Sequence, residues 1–433
     1  MFGGLRFAFA IFCALFAAQF CKAAQVYLWR QSYDEDTGKS LEIAARHFEA
    51  VNFLQAKISF EGGKKPRLAL LPINADYLRG LKVKKIACIR ISGLSASEKE
   101  YAALAPKISK IVRFCALKAA ESIGIDEIQI DFDCPESKLG FYALWLEEIR
   151  AVLPKNLPLS ITAVPSQMNA KNFENAVKHC DYFTLQIHNI ANCGGGLKIF
   201  DFENALSEIR RADKFGKNFM VALPTYSHFV EIGENGKLSK VLSENFAGVS
   251  ERASLRTKKI SSNPLEVEKL SLSIKELELK NFCGEIYFRL PCGNEISNWS
   301  LETLLSLAKG EKLKLSHRVF TAEAGNVCDV FLENTGNVDL CAPFEAFCKI
   351  ENAKYCEGVG GFVFNGRTDG GGILKNGDDL TFKLKPNKKM RDFLFCREYI
   401  KRNVYEKIFN VGFNFCIYAM CFRLRLLRTG KQL

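Results

Sequence analysis

Several familiar catalytic signatures are missing from this sequence of 433 residues. It has no Cys-x-x-Cys pair and only five histidines, which argues against the common zinc sites. It also has no Gly-x-Ser-x-Gly elbow, no His-Glu-x-x-His motif, no phosphate loop and no dinucleotide fingerprint after a strand. We therefore expect no metal and no cofactor, and chemistry that relies on other side chains.

A block of like charge is also absent. The formal net charge is +12, but the lysines and arginines are scattered along helical stretches. This distribution favours a solvated surface and predicts no nucleic-acid partner, while acidic glycans or an anionic envelope surface stay open as partners. The apolar stretch 411–427 is shorter than a membrane span and contains Asn414, so we expect no transmembrane span in the mature chain.

The first 23 residues have the pattern of a secretory signal peptide. Arg6 precedes an apolar run over residues 7–20, and small residues at Cys21 and Ala23 fit a cleavage site after Ala23. An uncleaved anchor and a lipoprotein modified at Cys21 are the alternatives. The pattern predicts an exported protein that is periplasmic or associated with the cell envelope.

Fourteen of the sixteen cysteines lie beyond this segment, and an exported protein can form disulfides. Cys88 and Cys283 lie in or beside apolar runs, where we expect small buried hydrophobic residues. The better disulfide candidates form one group: Cys328, Cys341, Cys348 and Cys356.

Short apolar runs alternate with helix-period segments between residues 25 and 310, which indicates parallel strands covered on both faces. The predicted strands are 26–30, 56–60, 85–92, 127–133, 159–164, 182–188, 219–224 and 285–290, with 66–71 competing for the second place. The predicted helices are 41–53, 98–123, 138–153, 202–215 and 264–279. Eight such units predict a (β/α)₈ TIM barrel over residues 24–310, with an open doubly wound sheet as the alternative.

Two β-rich regions accompany this barrel. Residues 229–242 read as a hairpin around Asn235-Gly236, which follows the seventh strand. After Gly310, short alternating runs at 312–319, 327–334, 344–350, 361–364 and 379–384 are separated by turn residues. They predict a small β-sandwich-like accessory domain over residues 311–433, a candidate surface for an envelope partner.

The fourth predicted strand carries the strongest chemical signal. Alternation places Gln129, Asp131 and Asp133 on one side of it, at the end where TIM barrels bear their functional residues. Two close carboxylates raise one of their pKa values, which suits a general acid. The alternative is that Asp133 caps the following helix.

Other strand ends supply candidate ligand contacts. An arginine inside a barrel needs an acidic partner, and we expect Asp131 or Asp133 to provide it for Arg289. The candidates are Trp29, Arg90, Gln186, His188, Tyr226, Arg289 and Trp299, together with Gln129 of the fourth strand.

Five segments in this order, IQIDFDCPESKL, LSITAVPS, FTLQIHN, VALPTYSH and EIYFRLP followed by NW, resemble the bacterial family known as domain of unknown function 3142. The resemblance covers roughly residues 25–305. A more distant similarity is to the family 18 glycoside hydrolases, chitinases and their relatives, which carry Asp-x-Asp-x-Glu at the end of barrel strand four. On this pattern Gln129 matches the first Asp, Asp131 the middle one, and Asp133 the acid, one methylene shorter than Glu.

The residues and the resemblance together lead to three hypotheses. The first is a glycoside hydrolase-like enzyme that acts on an envelope or extracellular glycan, with Asp133 as general acid and Asp131 as its electrostatic partner. The second is a non-catalytic protein that binds a glycan or peptidoglycan fragment. The third is a metal-dependent hydrolase that uses Asp131, Asp133 and His188.

Overall fold

A computed structural model shows the three-dimensional arrangement of most of the chain. It describes residues 23–62, 65–192, 196–234, 237–242, 257–293, 295–324, 327–341, 345–348, 355–358, 362–367, 371–375 and 383–397. Residues 1–22 of the predicted signal peptide, the Asn235-Gly236 turn and the apolar stretch 411–427 lie outside these residues.

Eight parallel strands form a closed barrel, which confirms the predicted fold class. β1 pairs with both β2 and β14, and this double pairing closes the sheet on itself. Most of these strands are buried on both faces, as the continuous apolar runs predict. The barrel strands are β1 (Ala23–Leu28), β2 (Ala50–Glu61), β4 (Lys84–Ser92), β5 (Glu127–Phe132), β6 (Leu159–Ala163), β7 (Tyr182–Gln186), β10 (Phe219–Pro224) and β14 (Phe282–Phe288).

The structure shows which of the two candidate segments, 56–60 or 66–71, forms the second barrel strand. Residues 50–61 form β2, and β3 (Lys65–Leu70) pairs antiparallel with its outer half instead of entering the barrel. The helix predicted over 41–53 therefore ends early. α1 (Glu35–His47) starts after an N-cap at Asp34, and residues 50–53 belong to β2 because they pair with both neighbouring strands.

Helices surround the barrel, and their sequence signals match their ends. The 25-residue helix α3 begins after Ser97, whose side chain and that of Glu100 form a reciprocal capping box. The remaining helices follow the predicted positions closely, with three short additions. They are α2 (Ala75–Arg79), α3 (Glu98–Ser122), α4 (Leu139–Val152), α5 (Phe173–Val177), α6 (Phe202–Asp213), α7 (Pro264–Glu276) and α8 (Leu301–Ala308). The additions are α2, α5 and α8.

A small antiparallel sheet follows β10 on the side of the barrel where the parallel strands end. β11 (Ser227–Ile232) pairs with β12 (Leu238–Leu242), as the hairpin prediction expects, and also with β13 (Thr257–Ser261). A two-stranded ribbon, β8 (Ala191–Asn192) and β9 (Leu197–Lys198), lies between β7 and α6. Tyr226, Val230, Ile260 and Ile199 pack together and join the sheet to the loop after β7.

The C-terminal region consists of small antiparallel sheets, in agreement with the predicted β-rich accessory region. One sheet has the order β15-β16-β23-β19, another has the order β18-β21-β20, and β17 pairs with β22. The boundary at residue 310 stays a prediction. The strands are β15 (His317–Ala324), β16 (Val327–Asn334), β17 (Leu340–Cys341), β18 (Glu345–Cys348), β19 (Tyr355–Gly358), β20 (Val363–Arg367), β21 (Gly371–Lys375), β22 (Lys383–Leu384) and β23 (Lys389–Arg397).

The predictions for Cys283 and for Cys341 are wrong. Cys88 is buried as expected, but Cys283 is exposed, because it lies on the opposite face of β14 from the buried Phe282 near the open start of the strand. Cys341 is a free thiol, so it does not belong to a disulfide of the predicted group. The side chains of Cys328, Cys348 and Cys356 lie outside the described part of the molecule.

Within the described residues, no helix combines the length and the apolar character that a bilayer crossing requires.

Candidate active site

The polar residues of β5 lie along the interior of the barrel at increasing exposure. Gln129 is fully buried, Asp131 is 3% exposed, and the side chain of Asp133, just after the strand, is half exposed. Period-two alternation places them on one side, with Ile128, Ile130 and Phe132 packed on the other side in the hydrophobic core. The strand therefore carries polar groups from the middle of the barrel to its mouth.

Arg90 connects the two aspartates. Its Nη1 donates to Asp131 Oδ2 at 2.7 Å, and its Nη2 donates to Asp133 Oδ2 at 2.6 Å. β4 and β5 are paired in register at Arg90 and Asp131, so both side chains point to the same side of the sheet. The rigid guanidinium fork suits this geometry, since it presents two N–H groups in one plane.

Asp131 has further donors that hold its carboxylate in place. Thr162 Oγ1 donates to Asp131 Oδ1 at 2.8 Å, and Gln186 Nε2 lies 3.5 Å from the same oxygen. Burial raises the pKa of Asp131, and the nearby charge of Asp133 adds to this effect, while Arg90 and Thr162 oppose it. Asp131 is therefore a buried carboxyl whose charge depends on its partners.

Gln129 lies beneath this cluster, with its amide fully engaged. Its Oε1 accepts from Tyr27 Oη at 2.6 Å and from Cys88 Sγ at 3.3 Å. Its Nε2 donates to Ser160 Oγ and Thr184 Oγ1. Because the side chain is fully buried, Gln129 supports the site from below; it was predicted as a ligand contact, but it does not reach the surface of the mouth.

Glu127 continues the same alternation and was not singled out from the sequence. Its Oε1 accepts from the hydroxyls of Ser160 and Tyr182, and burial raises its pKa. The period-two pattern that found Asp131 could also have found Glu127, two steps earlier on the strand. It lies at the opposite end of the strand from Asp133.

His188 and Tyr226 lie together on another side of the mouth. His188 Nδ1 is 3.0 Å from Tyr226 Oη, and the imidazole stacks on Phe288 at a centroid distance of 5.5 Å. His188 Nε2 is buried and has no hydrogen-bond partner among the described residues. Phe288 contacts Trp29 and Tyr226 as well, so it forms the centre of an aromatic group that sequence reasoning missed.

We expect His188 to stay neutral at physiological pH. Burial lowers the pKa of His188 to about 4, with a smaller contribution from His228. Because the pKa of His188 is lower in the folded state than in the unfolded state, its burial costs no stability above the ordinary value of 6.5. The free energy of unfolding decreases as the pH falls from there towards 4. In a pH titration of ring proton shifts, assigned with His188→Gln, the His188 signal should not move above about pH 5. A midpoint near 6.5 would contradict this burial.

The arginine and tryptophan candidates have different surroundings. Arg289 is buried, and it donates from Nε to Asn298 Oδ1 at 3.0 Å and from Nη1 to the Trp29 carbonyl. Asp131 and Asp133, the partners expected for Arg289, are both bound by Arg90, which lies on the strand next to β5. Trp299 is 5% exposed and its Nε1 donates to the Ser262 carbonyl, which makes it a core residue, whereas Trp29 is only partly buried.

The metal hypothesis does not fit this arrangement. No group of three or more His, Cys, Asp or Glu side chains in the described part of the chain is placed to hold a metal ion. Asp131, Asp133 and His188 therefore do not form the metal site considered from the sequence. Instead, one arginine engages both carboxylates.

Solved structures similar to this chain include a spore cortex-lytic enzyme and two chitinases. The spore cortex-lytic enzyme SleL of Bacillus megaterium has a TM-score of 0.48 and 12% identity, covering 67% of this chain and 74% of that one. A chitinase from Chromobacterium violaceum has a TM-score of 0.47 and 14% identity, over 67% and 98% of the two chains. The class V chitinase of Nicotiana tobaccum has a TM-score of 0.43 and 13% identity, over 62% and 94%.

No curated protein matches the sequence. A family model, described as Domain of unknown function (DUF3142), matches residues 82–293. This segment begins just before β4 and ends after β14, so it includes Arg90, Asp131, Asp133, His188, Tyr226 and Arg289. Residues 82–293 of the chain are therefore similar to the domain of unknown function 3142.

Proposed function

We propose that this chain binds a glycan at the mouth of the barrel without hydrolysing it. The observation that carries the proposal is the ion pair of Arg90 with both aspartates, at 2.7 and 2.6 Å. A general acid must hold a proton when the substrate arrives. Asp133, the candidate acid, is instead engaged through Oδ2 by a guanidinium.

The lining of the mouth supports a sugar as the ligand. Trp29 provides a partly exposed aromatic ring just after β1, and Gln186 and His188 bring polar groups to the end of β7. An apolar ring face next to a few fixed donors and acceptors suits the alternating apolar and hydroxyl surfaces of a pyranose. The signal-peptide pattern of residues 1–23 supports the further proposal that the ligand is an envelope or extracellular glycan.

Hydrolysis is the second candidate, and one specific observation favours it. The side chain of Asp133 is half exposed, and Asp131 is buried two residues earlier on the same side of the strand. A general acid that contacts the substrate is expected to be exposed in this way, and a carboxylate that adjusts its pKa is expected to be buried beneath it. In that case ligand binding would have to release Asp133 from Arg90.

One experiment separates the two candidates. The full chain is incubated with neutral and acidic oligosaccharides, binding is measured by calorimetry, and products are sought by mass spectrometry. We expect binding without products, weakened at least fivefold in Trp29→Ala because the stacking surface is lost. Trp299→Phe is the matched control in the buried core.

Products formed by the intact chain and lost in Asp133→Asn would favour hydrolysis and overturn the binding-only proposal. If neither the intact chain nor any variant binds an oligosaccharide, the mouth of the barrel is not a glycan site.

A further inference from the structure

A second cation lies beside Arg90 on the neighbouring strand. β2 and β4 are paired in register at Lys57 and Arg90, and β4 and β5 at Arg90 and Asp131. Side chains directly opposite one another on neighbouring strands point to the same side of a sheet. Ile58, the next residue of β2, is fully buried in the core under the helices, so Lys57 points to the side that carries the aspartates.

Lys57 is on the far side of Arg90 from the carboxylates. It is partly buried, and burial lowers its pKa, with the charge of Arg90 acting in the same direction. No carboxylate in the described part of the chain contributes to this shift. Both aspartates are already bound to Arg90, and among the described residues the charge that acts on Lys57 is the positive charge of Arg90.

Two hydroxyls lie one step further towards the solvent. Ser59 and Ser92 are directly opposite each other in the same pair of strands, and both are exposed. They follow Lys57 and Arg90 by two residues, so they lie on the same side of their strands. Two cations and two hydroxyl donors thus border one position, and an anion there would remove the repulsion between the cations and accept charge-assisted hydrogen bonds.

We propose that Lys57, with Arg90, Ser59 and Ser92, forms a subsite for a negatively charged group of the ligand, so that the bound glycan is acidic. This inference rests on the proposed glycan-binding function and specifies its ligand. The anionic group is a uronic-acid carboxylate or a sulfate ester, which share the chemistry that the subsite recognises.

The test uses matched pairs of oligosaccharides with the full chain. Hyaluronan hexasaccharide and hexagalacturonate supply carboxylates, and their carboxyl-reduced forms keep the same backbones without charge. Carboxyl-reduced chondroitin sulfate hexasaccharide supplies sulfate alone. The chain variants are Lys57→Met, which keeps the apolar stem, Lys57→Arg, which keeps the charge, and the control Lys84→Met, an exposed lysine at the opposite end of the barrel strands.

We expect the intact chain to bind a charged oligosaccharide about tenfold more tightly than its reduced form, as one charge-assisted hydrogen bond allows. Lys57→Met should lose this preference while its affinity for the reduced form stays the same. Lys57→Arg and Lys84→Met should keep it. Because Lys57→Met removes a cation from beside Arg90, the variant is expected to fold as stably as the parent.

The results distinguish the two proposals. Equal binding of charged and reduced forms, or an unchanged preference in Lys57→Met, would overturn the anion subsite and leave glycan binding intact. Absence of binding to every member of the panel would overturn the glycan-binding function and the subsite with it. Preference for carboxylate or for sulfate would show which of the two groups the subsite takes.

Discussion

Arg90→Gln is expected to lower the free energy of unfolding by about 3 kcal/mol at pH 8, because it leaves the buried carboxylate of Asp131 without its cation. Glutamine keeps a polar group at the position, so the effect is mainly that of the lost charge. Glycan binding should also be lost, since Asp133 is no longer held. The measurement is urea unfolding followed by circular dichroism, together with calorimetric titration.

The pH dependence of this loss provides a sharper test. Burial already raises the pKa of Asp131, and removing Arg90 removes a group that lowers it. A carboxyl whose pKa is raised in the folded state is destabilising above that pKa, and the penalty disappears as the pH falls through it. The loss in Arg90→Gln should therefore be smaller at pH 5 than at pH 8.

Two further variants complete this test. Arg90→Gln combined with Asp131→Asn should recover much of the lost stability, because no unpaired charge remains buried. Arg67→Gln removes an arginine from an exposed ion pair with Glu61 and should change stability by less than about 1 kcal/mol. Equal losses in Arg90→Gln at both pH values would show that the Arg90–Asp131 pair does not carry the effect.

The second large effect is expected from Trp145→Ala on α4, with a loss of about 4 kcal/mol of stability. Trp145 is fully buried and stacks against Phe132 at 5.7 Å and against Tyr101 at 5.4 Å. Its Nε1 donates to the Tyr101 carbonyl at 2.7 Å. The substitution therefore creates a large cavity and leaves a buried carbonyl without its donor.

The position of Trp145 also predicts an effect on binding. Phe132 lies between Asp131 and Asp133 in the chain, so the stack fixes the end of β5 from the helix side. Trp145→Phe should keep most of the packing and recover binding, although the donor is lost. Leu144→Ala, at an exposed position one residue earlier, is the control and should leave stability and binding unchanged. Full binding in a folded Trp145→Ala protein would mean that this stack does not position the aspartates.

Parts of the candidate site were predictable because they depend on one strand at a time. Alternation along β5 correctly grouped Gln129, Asp131 and Asp133, since period two is a property of any strand. Thr162 and Phe288 were not predictable in the same way. Threonine and phenylalanine in strands are ordinary core residues, and only strand register and the packing at the strand ends place Thr162 at Asp131 and Phe288 against His188.

Arg289 and Arg90 illustrate the same limit. Both arginines lie near strand ends, and the sequence contains no information about which one faces β5. The order of the strands decides this: β4 is the neighbour of β5, whereas β14 lies between β10 and β1. The helix prediction over 41–53 was wrong at its end for a related reason. Residues 50–53 pair with β1 on one side and β4 on the other, and this pairing exists only in the assembled sheet.

The sequence by itself determined the (β/α)₈ order, the polar side of β5 and the similarity of residues 82–293 to the domain of unknown function 3142, because hydrophobic periodicity and motif order are local properties. The tertiary structure alone decided which charges meet. It brings the guanidinium of Arg90 into contact with Asp131 and Asp133 and places Lys57 next to Arg90 on the neighbouring strand. It also buries Gln129 below the two aspartates in the barrel interior. Such contacts depend on strand order and register, which join residues far apart in the chain and leave no local trace in the sequence.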